Sequence, residues 1–320
     1  MRALLVRYTL QARTVFLACG LAMFGFMMLR VWSITLLGSE EFREIIKHFK
    51  NFEKFSPVPF SSLVTYTGRA ARTFNEPIVL FVILTWTISR GSDTVAGQIN
   101  RGTMEMLLGN PVSRSNVYWS QFLVTTVGTF LLSTLAWLGM VVSVHLNMVE
   151  EVIKPPSFSI PYTQLEIPLS TAEVSTIQTP MSEYINIWDF MPALTIIFAM
   201  GFFVAGFATM ISSFDRYRWR AVGIAVGFVI FQQSIRILAV SKPEYNYLLN
   251  FTFFNPFDPE GLVNVLTEDP EQFWQFWQYE REESIRLSAL GCHCILFGFG
   301  LLCYLIGNYV FCKRDLPAPI

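Results

Sequence analysis

The sequence predicts an all-α membrane protein: six transmembrane helices, a short helix in a cytoplasmic loop and amphipathic segments on the outer face, in one domain over residues 1–320. Three observations carry that prediction. Hydrophobic residues make up 52% of the chain and charged residues 15%, whereas roughly a quarter of an ordinary soluble domain is charged. The apolar residues gather in runs of the ~20 residues that a helix needs to cross a hydrocarbon core. The acidic and basic residues sort by loop, as they do when alternate loops face opposite sides of a membrane.

Taken in order, the first span covers 14–37 and follows Arg2, Arg7 and Arg13. It is too long for a secretory signal core and lacks an A-x-A cleavage site, so it is expected to remain as a helix. In the outer loop 38–70, Phe42, Ile45, Ile46, Phe49 and Phe52 recur at helical spacing against Glu41, Lys47, Lys50 and Lys54. That is an amphipathic helix, lying either on the membrane surface or on its own protein. The second span, 71–89, is the shortest: only 77–89 are continuously apolar, and full length requires Arg72 and Glu76 to reach back to the interface along their methylene stems. A cytoplasmic loop occupies 90–115 and the third span 117–144. Five prolines in the outer loop 147–188 argue against long helices there. The fourth and fifth spans, 191–214 and 221–240, flank an Arg-rich turn. The outer loop 241–286 ends in Phe273, Trp274, Phe276, Trp277 and Tyr279, an interfacial aromatic belt before the sixth span, 287–311.

Charge decides the doubtful second span. With six spans and both termini cytoplasmic, only Asp93, Glu105, Asp215 and Asp315 among the 24 acidic residues lie inside, while eleven Lys and Arg fall in short inside segments. If 77–89 did not cross, the Arg-rich turn 215–220 would lie outside, against the positive-inside rule. The expected location is therefore the cytoplasmic membrane, with several passes.

No G-x-x-x-x-G-K-[ST] loop is present, so the chain lacks the backbone cradle and lysine that hold nucleotide phosphates. His48, His145 and His293 lie in unrelated segments. Cys292, His293 and Cys294 are adjacent, but side chains about 100° apart on a helix do not converge on one ion. No catalytic constellation, cofactor or metal site on this chain is expected, and no nucleic-acid partner. Within the fifth span Gln232, Gln233 and Ser234 need partners, either on another helix or on a substrate in a pathway. Gly223 and Gly227 form a G-x-x-x-G pair that permits close helix packing.

The informative stretch is RGSDTVAGQINRGTMEMLLGNPVSRS at 90–115. Ser92 or Asp93 can cap a short helix, Gly102 interrupts it, and Thr103 opens a second turn that stops at Gly109-Asn110-Pro111. Met104, Leu107 and Leu108 give that turn one apolar face, with Arg101 and Glu105 at its start. The string resembles the loop between the second and third spans of type-two ABC exporter permeases, approximately small-A-G-E-x-E-R-G-T-x-E-x-L-L-x-x-P-V-S-R. Gly97, Arg101, Gly102, Thr103, Glu105, Leu107, Leu108, Pro111, Val112, Ser113 and Arg114 match it; Gln98 and Asn100 stand where acidic residues are common.

The resemblance implies that this loop holds a coupling helix, with Arg101, Gly102, Thr103, Met104, Glu105, Leu107, Leu108, Pro111 and Arg114 engaging a cytoplasmic ABC ATPase on another chain. ATP and Mg would belong to that partner, and two permease subunits, identical or different, would form the transporter. The function implied is export of a substrate driven by the partner's ATP hydrolysis. The alternative is a mechanical transmitter that drives an extracytoplasmic partner and moves no substrate.

Overall fold

A computed structural model describes residues 2–36, 38, 42, 64–153, 157–159, 166–168, 175–279 and 285–315. Among them, six helical segments are long and apolar enough to cross a membrane. The amphipathic segment expected at 42–54 lies outside the described residues except for Phe42.

Helix α1, Arg2–Thr35, has 34 residues and is thus ~50 Å long, well beyond the ~30 Å of a hydrocarbon core. It begins twelve residues before the apolar run that predicts it. The cause is burial on one side: Leu4, Tyr8 and Ala12 pack into the bundle, so the helix continues among its arginines. The second span also differs from expectation. A short helix α2, Tyr66–Thr73, is capped by the Thr65 hydroxyl, which accepts from the Gly68 N–H. The chain then turns, and Pro77 opens α3, Pro77–Ser92, where its missing N–H and fixed φ suit a first helical position. Arg72 and Glu76 do not reach back to an interface alone. Glu76 pairs with Arg30 at 3.3 Å and Arg72 lies 3.9 Å from Glu260.

At its other end α3 runs on through a π turn, Asp93–Gly97, and a last turn, Gln98–Asn100. The expected cap at Ser92 or Asp93 is therefore interior helix. Gly102, at φ +66°, then reverses the chain into α4, Thr103–Leu108; this backbone region suits glycine because it has no Cβ. Helix α5, Arg114–Leu146, leads to short antiparallel strands: β1, Met148–Ile153, pairs with β4, Ser175–Pro180, and β2, Ser157–Ser159, with β3, Glu166–Pro168. Helix α6, Met191–Phe214, returns, and α7, Arg218–Ser241, follows after a three-residue turn. A 3₁₀ segment, Pro243–Phe251, helix α8, Pro259–Glu268, and a small ribbon of β5, Trp277–Tyr279, and β6, Ile285–Leu287, precede the final helix α9, Ala289–Lys313.

Helix α6 is the most enclosed span and packs on α9, α3, α5 and α7. Its contact with α9 is close because Gly206 and Gly300 face each other: a Cβ at 206 would sit 2.6 Å from the Gly300 carbonyl oxygen. Helix α7 is the least enclosed, and Gly223 and Gly227 face open space there with nothing within 4 Å of a built Cβ. The described residues nearest the two termini, α4 and the α6–α7 turn share one end of the bundle, called the termini end below; α2, α8 and the strands β1, β4 and β6 lie at the far end. In the aromatic cluster there, Phe273 is buried, whereas Trp274 and Trp277 are exposed.

At the far end Glu260 is buried at the start of α8, accepts a hydrogen bond from the Asn75 amide at 3.2 Å, and leaves its second oxygen unpartnered. Burial raises its pKa, against the opposing pulls of Asn75 and Arg72. The folded state thus binds this proton more tightly than the unfolded chain. Its contribution is complete below the unfolded carboxylate value of about 4.3 and is lost as pH rises through the raised folded value. Glu260→Gln keeps the acceptor for Asn75 without the charge. It is expected to melt above the wild type at pH 8, with the difference shrinking toward pH 4. Parallel melting curves across that range would reject this account.

Candidate functional site

The termini end is organised around one carboxylate. Asp93 opens the π turn, and its side chain is 4% exposed. Arg101 grips it with both guanidinium nitrogens, Nη1 at 2.7 Å from Oδ1 and Nη2 at 3.0 Å from Oδ2, the two-pronged geometry that makes arginine–carboxylate pairs strong. Arg90 lies 3.8 Å away and Arg218 3.7 Å away, and the Gln11 amide donates from α1 at 3.2 Å. Arg218 also donates to the Ser89 carbonyl and hydroxyl. Three cations around one buried carboxylate hold its charge; without them, desolvation would be costly.

Side chains from other spans bond to the backbone of the π turn. Ser212 on α6 accepts from the N–H groups of Val95 at 3.1 Å and Ala96 at 2.8 Å, and donates to the Ser92 carbonyl at 3.0 Å. Gln121 on α5 donates to the Thr94 carbonyl at 2.9 Å. Groups from α1, α3, α5, α6 and α7 therefore meet at this turn.

Helix α4 hangs from it. The Thr103 hydroxyl reaches the Gln98 side-chain oxygen at 2.6 Å, and Met104 and Leu107 are buried in a cluster with Leu4, Tyr8, Val95, Val117, Tyr118 and Phe311. This corrects the assignment of Met104 and Leu107 as contact area for another chain: that face is filled by the protein's own spans. Leu108 is half-buried, Glu105 and Gly102 are exposed, and Pro111 is exposed in the following turn. The side chain presented outward is Met106, 75% exposed. It lies about 200° around the helix from Met104, so its separation from the 104/107 stripe was available in the sequence.

Two arginines at this end serve helix ends. Arg114 donates to the carbonyls of Phe311, Cys312 and Arg314 at the end of α9, and Arg314 to those of Ser213 and Asp215 at the end of α6. A cation there meets the negative end of the helix dipole and the unsatisfied carbonyls. Arg114 and Arg101 are therefore engaged by groups of this chain, with Arg114 half-buried and Arg101 still exposed.

In the fifth span, Gln232 does not bond another span. Its side-chain oxygen accepts from the Phe253 N–H at 3.3 Å, and its backbone carbonyl takes the Thr252 hydroxyl at 3.0 Å; both belong to the segment that folds back after α7. Ser234 donates to its own helix at Ile230, and the buried Gln233 oxygen has no hydrogen-bond partner. His293 lies between the Ala289 carbonyl and the Thr195 hydroxyl. Among the described residues, no three His, Cys, Asp or Glu side chains are grouped to hold a metal ion.

Residues 11–316 match the family described as ABC-2 family transporter protein, nearly the whole chain and all six long helices. The chain belongs to that family. No curated protein matches it significantly. An ABC-2 protein is the membrane subunit of an ABC transporter and is not itself the catalytic chain. In this ABC-2 permease the motif loop 90–115 is divided: 90–100 is helix, buried over 90–98, and only 101–113 forms the projecting turn with α4. Sequence reasoning missed Asp93, Arg90, Ser212, Gln121 and Gln11, because nothing in the chain's order brings them together. A signal for Asp93 was present in its position, an acid directly following a 16-residue apolar-rich helix.

Proposed function

We propose that this permease couples ATP hydrolysis on a separate ABC ATPase to movement of its spans, with α4 as the docking element, and that it exports a substrate across the cytoplasmic membrane. ATP and Mg are bound by the partner, and two permease subunits form the transporter. The termini end faces the cytoplasm in this reading, supported by the arginines concentrated there.

One observation carries the proposal: α4 is anchored on one side and free on the other. Met104 and Leu107 fix it to the bundle, while Met106 and Glu105 project from it. An exposed methionine on a fixed helix is an adaptable apolar contact for a groove. Met106→Asp is expected to leave insertion and melting unchanged and to weaken association at least tenfold, equivalent to about 1.4 kcal/mol. The measurement is co-purification from native membranes of a chain that carries a G-x-x-x-x-G-K-[ST] loop. Wild-type recovery of that chain by Met106→Asp would remove α4 as the docking element.

A second reading, a transmitter that drives an extracytoplasmic partner, has one observation in its favour. A 690 Å³ open groove at the far end is lined by Thr65, His145, Tyr184, Trp188 and Glu268 among others. A stable partner bound there, together with ATPase activity indifferent to any substrate, would favour it over export.

A further inference from the structure

We propose that Asp93 and Arg101 form the joint through which displacement of α4 reaches α1 and α7, with the π turn at Asp93–Gly97 as its hinge. The proposal rests on the reading of α4 as the docking element and adds the path that follows it.

Between α4 and α3 the main chain passes through Gly102, whose positive φ and exposed position make a turn, not a rigid strut. A push on α4 transmitted only through that turn would be absorbed by it. The Thr103 hydroxyl bridges the bend by donating to Gln98 in the last turn before it, and Arg101, on the same side of Gly102 as Gln98, ties that turn to the Asp93 carboxylate eight positions earlier. From Asp93 the contacts branch to Gln11 on α1 and Arg218 on α7.

Those two helices are the least enclosed of the six, with exposed apolar side chains such as Leu10 and Trp219; α7 can shift with little repacking, whereas α1, packed closely on α5, shifts together with it. Helix α6, the most enclosed, is bound to the π turn by Ser212 alone among the hydroxyls there and acts as the fixed post. A π turn carries one residue more than an α turn, so it can relocate in discrete steps; such turns recur at functional positions in helices. The combination is a hinge against a fixed helix, with a charged arm leading to two movable ones.

The test must avoid removing Asp93, because that would leave Arg90, 4% exposed on its side chain, without its counter-charge and would damage the fold. Arg101 is the accessible member at 36% exposure, and without it Asp93 keeps Arg90, Arg218 and Gln11. Arg101 is therefore a positioning residue in this scheme. Arg101→Gln removes both charge and fork; Arg101→Lys keeps the charge and loses the fork.

In the permease alone, Arg101→Gln should raise hydrogen exchange at least tenfold in both 93–100 and 103–108, with the rest of the bundle unchanged. In the complex with its ATPase in lipid nanodiscs, spin labels at Leu10 on α1 and Trp219 on α7 report the transmitted movement. The wild type should show an ATP-dependent change in their distance. Arg101→Gln should recover the ATPase within twofold of wild type but lose at least four-fifths of the shifted population, with Arg101→Lys intermediate.

An unchanged exchange pattern overturns the joint whatever the ATPase does. So does a wild-type distance change in Arg101→Gln. Loss of ATPase recovery in Arg101→Gln makes Arg101 a docking residue and overturns its role as a positioning one. If the wild type itself recovers no ATPase, the reading of α4 fails first and the transmission role fails with it, while the exchange result still reports whether the tie exists.

Discussion

Leu107→Asp is expected to release α4 from the bundle and to destabilise the permease by about 3–5 kcal/mol, the scale of an uncompensated buried charge. Leu107 is 6% exposed, in an apolar cluster with Met104, Leu4, Val117 and Phe311. The same substitution at Met106, one residue earlier, meets solvent and should leave melting within about 0.5 kcal/mol of wild type, as surface changes usually do. Thermal unfolding of the purified permease without any ATPase measures both. Equal melting of the two variants would mean that Leu107 is not packed against the spans and would restore it as a contact for another chain. Loss of ATPase association in Leu107→Asp is also expected, but as a consequence of lost anchoring, so it cannot by itself identify a docking residue.

That pair of residues shows what was legible in the sequence. The apolar stripe of Met104, Leu107 and Leu108 was read from its spacing, and the turn at Gly102 and the stop at Gly109 were read from their residue types. What the stripe packs against was not readable, because periodicity reports that a face is buried and not by whom. The same limit applies to the amides of α7. A polar side chain within a long apolar run must find a partner, yet the partner of Gln232 is a backbone N–H 21 residues later, in a segment that no local pattern marks as folding back.

The boundaries failed for a related reason. Apolar runs locate spans well when lipid surrounds a helix, and the first, third, fourth, fifth and sixth spans were placed within their helices almost throughout. Residues 90–100 read as loop because they carry Arg90, Ser92, Asp93, Thr94 and Gln98. In the fold, groups from other helices compensate them: Asp93 with Gln11 and Arg218, the Thr94 carbonyl with Gln121, and the Ser92 carbonyl with Ser212. A buried polar helix of this kind is affordable only through contacts distant in sequence, and those are what a single chain read in order does not display. Arg101 and Arg114 resemble the family loop by position, while their partners, Asp93 and the end of α9, came only from the fold.

Ser212→Ala is the second substitution expected to have a large effect, and its neighbour supplies the control. Both Ser212 and Ser213 are fully buried near the end of α6, and nothing in the sequence separates them. The Ser213 hydroxyl donates to the Thr209 carbonyl of its own helix, which already has a backbone partner, so its loss leaves no group stranded. The Ser212 hydroxyl serves three groups on α3: the N–H of Val95, the N–H of Ala96 and the carbonyl of Ser92. A buried amide or carbonyl left without a partner costs about 1–3 kcal/mol, so Ser212→Ala should lose about that much for the amide it strands. Ser213→Ala should stay within about 1 kcal/mol of wild type. Ser212→Thr restores the oxygen and should recover most of the loss, provided the added methyl fits beside α3. Exchange of the 95 and 96 amides should rise at least tenfold in Ser212→Ala and remain at the wild-type rate in Ser213→Ala. Equal melting and equal exchange in the two alanine variants would show that the π turn is held by α3 itself, and α6 would then no longer be the post against which it bends.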